Sequence, residues 1–86
     1  MLEDTNLYDL NVIKKKAISM TLNEVYEALK ERGYNPINQI VGYIISGDPG
    51  YISNYKNSRT KLQEYDRSEI TAIILEEYLK KWNAWD

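Results

Sequence analysis

Few side chains in this sequence could carry out a reaction. Histidine and cysteine are both absent, which removes the commonest general base, the commonest ligand for zinc or copper, and any thiolate or disulfide. Catalysis would have to rely on carboxylates. The most conspicuous pair, Glu76 and Glu77, occupies adjacent positions that point about 100° apart on a helix and reads as part of a solvated face. No nucleophile stands with a base, no cluster has metal-ligand spacing, and no glycine loop could cradle a phosphate. The chain is therefore read as no enzyme, with no catalytic residue, metal or cofactor. The remaining side chains with recognition chemistry are guanidinium groups. They could grip a phosphate or a carboxylate in bidentate fashion, or simply be solvated surface residues.

The rest of the composition narrows the setting. Eleven basic against thirteen acidic side chains give a formal charge of −2, the wrong sign for a protein that displaces counterions from nucleic-acid phosphates. The most apolar stretch, Ile37 to Ile45, is interrupted by Asn38, Gln39 and Gly42 and falls well short of the roughly 20 residues a membrane span needs. The chain opens on Glu3 and Asp4 rather than on a basic and then apolar segment, so no secretory signal is read and a cytoplasmic location is the expectation. At 86 residues it would bury only about 60 to 65% of its unfolded surface. With no disulfide to help, association with a second subunit is the expected source of extra stability.

The elements that would position these groups are helical. Residues 1 to 11 lack either period and read as a flexible tail. From about Lys14 to Arg32, Ile18, Leu22, Val25 and Leu29 recur at spacings of four, three and four, the stripe of an amphipathic helix, which Gly33 should stop. Asn35 and Pro36 fit a cap and first helical position. Ile37, Ile40, Val41, Ile44 and Ile45 then follow helical spacing until Gly47 and Pro49, although a short β-branched run of this kind could also be a buried strand. Asp48 and Pro49 repeat the cap-plus-proline arrangement and predict one helical turn through Ile52. A weakly amphipathic helix is expected over Lys56 to Tyr65. Asp66 and Glu69 have capping-box spacing and introduce a last helix with Ile70, Ile73, Ile74, Tyr78 and Leu79. Trp82 and Trp85 should close the core or sit at an interface, the core being the preferred use. Residues 12–86 read as one all-α domain, a compact bundle of four to five short helices.

The segment from Gly33 to Pro49 is more restricted than a generic helix requires. On one reading Asn35, Asp48 and the glycines cap and terminate helices, Gly42 permits close helix approach, and Asn38 and Gln39 face water. On the other it is a packing surface for a second subunit. A mid-helix glycine costs up to about 1 kcal/mol relative to alanine, which a closely passing second backbone would explain.

Gly33-Tyr34-Asn35-Pro36-Ile37-Asn38-Gln39-Ile40-Val41-Gly42-Tyr43, followed by Ser46-Gly47-Asp48-Pro49 and Tyr51-Ile52, resembles the signature of the IreB-type regulatory phosphoproteins. The spacing extends from Val25 through Arg59 and Arg67 to the last helix, over roughly three-quarters of the chain. The resemblance implies an all-helical homodimer with a flexible N-terminus and no enzymatic activity. It implies a cytoplasmic substrate of a membrane-anchored, PASTA-type Ser/Thr kinase of Gram-positive bacteria. Its protein partners would belong to the cell-wall synthesis or proteolysis machinery.

In that family the phosphorylated threonine lies in the tail a few residues before an aromatic, and Asp4-Thr5-Asn6-Leu7-Tyr8 is the stretch here that is similar. Thr5 is the expected phosphoacceptor. A kinase needs an accessible substrate, which favours Thr5 over Ser19 and Thr21 inside the first predicted helix. A phosphate adds about −1.5 to −2 charge and three strong acceptors, enough to draw the tail toward arginines. Arg59 and Arg67 match arginines of the family and are the expected phosphate- or partner-binding residues. Tyr34, Asn35, Pro36, Asn38, Gln39, Ile40, Gly42, Tyr43, Gly47, Asp48 and Pro49 form the expected dimer or core motif. Positions that tend to be basic in relatives are Asn54, Tyr55 and Gln63 here, which weakens the positive surface. The competing reading is a helix-turn-helix-like nucleic-acid module with the Lys56 to Tyr65 segment as reader.

Overall fold

The computed structural model describes residues 2–84, with side chains from Asn11 onward. Every regular element among the described residues is helical. The first helix, α1, runs Leu2–Glu31, opening well before the Lys14 start predicted from periodicity. Nothing in residues 2–13 breaks a helix, since they contain neither glycine nor proline. The phosphoacceptor tail expected over residues 1–11 concerns, Asn11 aside, side chains that lie outside the described residues.

α1 stops as its sequence requires. Gly33 adopts φ 82°, its N–H donates to Lys30 O and the N–H of Tyr34 donates to Leu29 O, each at 3.0 Å. This crossed pair is the Schellman closure, which needs a left-handed residue at the glycine. Asn35 then caps α2, Pro36–Ser46, by accepting from the Asn38 N–H at 3.1 Å. α2 ends on Gly47 at φ 76°, whose N–H donates to Tyr43 O. Asp48 starts a 3-10 turn, Pro49–Tyr51, by accepting from the Gly50 N–H at 2.8 Å.

The helix predicted over Lys56 to Tyr65 is instead a second 3-10 turn, Tyr55–Asn57, followed by α3, Ser58–Leu62. The break falls at Lys56 and Asn57, both in left-handed backbone. The capping box at Asp66 and Glu69 opens α4, Arg67–Trp82, with the Asp66 N–H donating to Glu69 Oε1 at 3.2 Å.

α1 is the spine, in contact with α2, α3 and α4 in turn. The buried cluster joins Ile18, Val25 and Leu29 of α1 to Ile40 and Tyr43 of α2, Ile52, Leu62 of α3, and Ile70 and Ile73 of α4. Leu22, Ile44 and Tyr65 pack against its edge.

Two groups of apolar residues that share the helical spacing lie outside the cluster. Ile37, Val41 and Ile45 are exposed: α2 carries aliphatic side chains on two faces and the core meets one of them. Ile74, Tyr78, Leu79 and Trp82 are exposed as well, since the distal half of α4 extends beyond the buried cluster. Trp82, expected to close the core, is 65% exposed, while Trp85 lies outside the described residues. Among the described residues no helix is long and apolar enough to cross a membrane.

Candidate functional site

While Tyr34, Asn35, Pro36 and Asn38 form the joint between α1 and α2, the later part of the motif, from Gln39 to Pro49, converges on one corner, where α2 meets the 3-10 turn, α3 and the start of α4. Each joint there uses a side chain to satisfy backbone that the helix ends leave unpaired. The Gln39 Nε2 donates to Tyr51 O at 2.9 Å. The Ser46 hydroxyl donates to Gly42 O at 2.7 Å and accepts from the Asp48 N–H at 3.0 Å. Tyr51 folds its ring onto Gly42, where a Cβ would lie 2.5 Å from the ring carbons. The mid-helix glycine is thus explained within the chain: it makes room for the ring of Tyr51, nine positions further on, and needs no second backbone.

Both arginines are built into the same corner. Arg59 Nε donates to Pro49 O at 3.1 Å and to Ile52 O at 3.0 Å, tying α3 to both ends of the 3-10 turn. Arg67 NH1 donates to Ile44 O at 2.8 Å, one of the last carbonyls of α2, and its guanidinium lies against Gly47, where a Cβ would come within 2.8 Å of Cζ. Arg67 remains exposed and Arg59 half-buried. A phosphate or carboxylate brought to this corner would meet guanidinium groups already oriented by backbone carbonyls. Thr5, the residue expected to carry that phosphate, has its side chain outside the described residues.

The three positions that depart from the basic pattern have local tasks. Asn54 Oδ1 accepts from the N–H and the hydroxyl of Thr60, both at 3.4 Å. The Tyr55 hydroxyl donates to Glu31 Oε1 at 2.8 Å. Gln63 is the exposed C-cap of α3. The segment read as a possible DNA reader offers a five-residue helix, α3, about 7.5 Å long at the usual rise. One of its cations, Lys61, is paired with Glu24 of α1 at 3.5 Å.

Charge pairs fasten α1 to the other elements. Lys14 pairs with Glu69 of α4; the hydrogen bond and the attraction between them raise the lysine's pKa and lower the carboxyl's, with the Asp66 N–H contributing to the latter. Lys15 pairs with Glu76 at 3.1 Å. At the far end of α1, Glu31 is held below the ordinary carboxylate value by the Tyr55 hydroxyl and then by Lys56, while Tyr55 and Lys56 are raised by Glu31. Sequence reasoning missed this Glu31 group, along with the buried Ser58 whose hydroxyl donates to Tyr55 O at 2.7 Å. None of these has a spacing signal, because the partners are 24 or more residues apart or lie in an irregular turn.

One further surface stands apart. On α4, Leu75, Tyr78, Leu79 and Trp82 are all exposed and follow i, i+3, i+4, i+7 spacing, so they form a single apolar stripe. The Tyr78 and Trp82 rings lie 6.4 Å apart, tilted by 52°. Matched against protein families, the chain fits the model described as IreB regulatory phosphoprotein over residues 3–80, a span that takes in Thr5, the whole corner and both arginines.

Proposed function

We propose that this chain, which belongs to the IreB family of regulatory phosphoproteins, is a non-enzymatic cytoplasmic substrate of a PASTA-type Ser/Thr kinase, phosphorylated at Thr5. It controls peptidoglycan synthesis through protein–protein contacts, with regulated proteolysis of a biosynthetic enzyme as the outlet. The observation that carries the reading is the family match across residues 3–80, because it includes both the acceptor threonine and the arginine-braced corner. Phosphate at Thr5 supplies charge and acceptor oxygens, and Arg59 and Arg67 are the groups of matching chemistry. Incubating the protein with the kinase domain and ATP, then mapping peptides by mass, is expected to place phosphate on Thr5 and to find none there in Thr5→Ala. Phosphate confined to other residues would overturn the assignment.

The acting form in this reading is a homodimer. The Leu75, Tyr78, Leu79 and Trp82 stripe supports it, since helices that present such a seam normally bury it against another helix. Sedimentation equilibrium is expected to return twice the chain mass, and Leu79→Glu, which sets a charge in the stripe without touching the core, is expected to return one chain mass. A wild-type monomer at micromolar concentration would remove the dimer from the proposal.

A further inference from the structure

Lys56 and Asn57 sit at φ 56° and 62°, two consecutive left-handed residues that each carry a side chain, a conformation that costs free energy at every non-glycine position. Such a turn persists only if its surroundings hold it. Within the turn, the Asn57 N–H donates to Asn54 O at 3.0 Å. From outside, one carboxylate spans it: Glu31, the last residue of α1, accepts from the Tyr55 hydroxyl at 2.8 Å through Oε1 and from Lys56 Nζ at 3.0 Å through Oε2. Arg32 and Lys56 flank the Tyr55 ring, 5.0 Å and 5.4 Å from its centroid.

We propose that Glu31 is the latch of a conformational device: its carboxylate holds the left-handed Lys56–Asn57 turn shut, and without it the segment Tyr55 to Leu62 opens from α1 while the rest of the core stays closed. The segment is a natural unit. It begins at the strained turn, contains the buried Ser58 and Leu62, and carries Arg59, whose bonds to Pro49 O and Ile52 O break when it leaves. Opening therefore loosens the corner and exposes Leu62 in one event. The latch is poised because strain opposes it and because its ion pair is solvent-exposed, with the Lys56 and Glu31 side chains 58% and 50% accessible, so the pair adds little by itself. A partner with a cationic group for Glu31 would release the segment. This device depends on neither the phosphorylation nor the dimer.

Hydrogen exchange on the full chain tests it. In Glu31→Ala the amides of Asn57 to Leu62 are expected to exchange about tenfold faster, the size of shift that a change in a minor open population produces, with Ile70 and Ile73 unchanged. Adding Asn57→Gly, which removes the left-handed penalty at one of the two positions, is expected to recover most of the protection. Glu27→Ala, one turn back along α1, is expected to leave exchange as in the wild type. Unchanged exchange at residues 57–62 in Glu31→Ala, equal acceleration in α4, or no recovery with the glycine would each overturn the proposal.

Discussion

Leu29→Ala is expected to lower unfolding stability by about 2–5 kcal/mol, the range for removing a fully buried leucine and leaving part of the cavity behind. Leu29 has no exposed surface and belongs to the cluster shared by all four helices. It also lies at the closure of α1, where its carbonyl accepts from both Arg32 and Tyr34 N–H groups, so backbone collapse into the cavity is restrained and the cost should fall in the upper part of the range. For 86 residues, total stability is of the order of 4–13 kcal/mol, so this one substitution removes a large share of it. Urea titration at fixed protein concentration checks it, through a lower midpoint at an unchanged slope. Leu79→Ala is the control. That side chain is half exposed on α4 and outside the cluster, so its cost should be confined to conditions under which the protein associates. A Leu29→Ala loss under 1 kcal/mol would mean that α1 is not the spine of the core.

The contrast between Leu29 and Leu79 shows what the sequence conveys. Helical spacing marks both as apolar face positions, and spacing cannot say where the partner layer ends. α2 makes the same point: its five aliphatic residues all fit one pattern, yet Ile40 is buried and Ile37, Val41 and Ile45 face out. The chain's stops and starts were legible because their chemistry is local. Asn35 with Pro36, Asp48 with Pro49, Asp66 with Glu69, and the left-handed glycines 33 and 47 each act within a turn or two.

The joints of the corner were not legible, because each depends on where a distant residue arrives. Gly42 announces a close approach but not that Tyr51 makes it. Arg59 and Arg67 announce anion or carbonyl recognition but not that Pro49, Ile52 and Ile44 supply the carbonyls. The Lys56–Asn57 turn was the least legible feature, since neither residue type marks left-handed backbone as strongly as glycine does and the polar segment around it satisfies a helical pattern.

Gly47→Ala is expected to destabilise the protein by about 2–3 kcal/mol, well above the roughly 1 kcal/mol expected for Gly33→Ala, because strain and collision add at one site and not at the other. Both glycines are left-handed, at φ 76° and 82°, so alanine carries a similar backbone penalty at each. At Gly33 nothing lies within 4 Å of the new Cβ. At Gly47 the Cβ meets the Arg67 guanidinium at 2.8 Å, and Arg67 can move aside only by giving up its bond to Ile44 O. That exchanges a charged bond at the end of α2 for one to water, a net loss of about 1–1.5 kcal/mol at this exposed site. A double-mutant cycle separates the two parts. In an Arg67→Ala background the guanidinium is gone, and Gly47→Ala should then cost no more than Gly33→Ala does in the wild type. If Gly47→Ala costs the same with and without Arg67, the arginine is not braced against α2, and its guanidinium is as free for an incoming phosphate as that of a solvated surface residue.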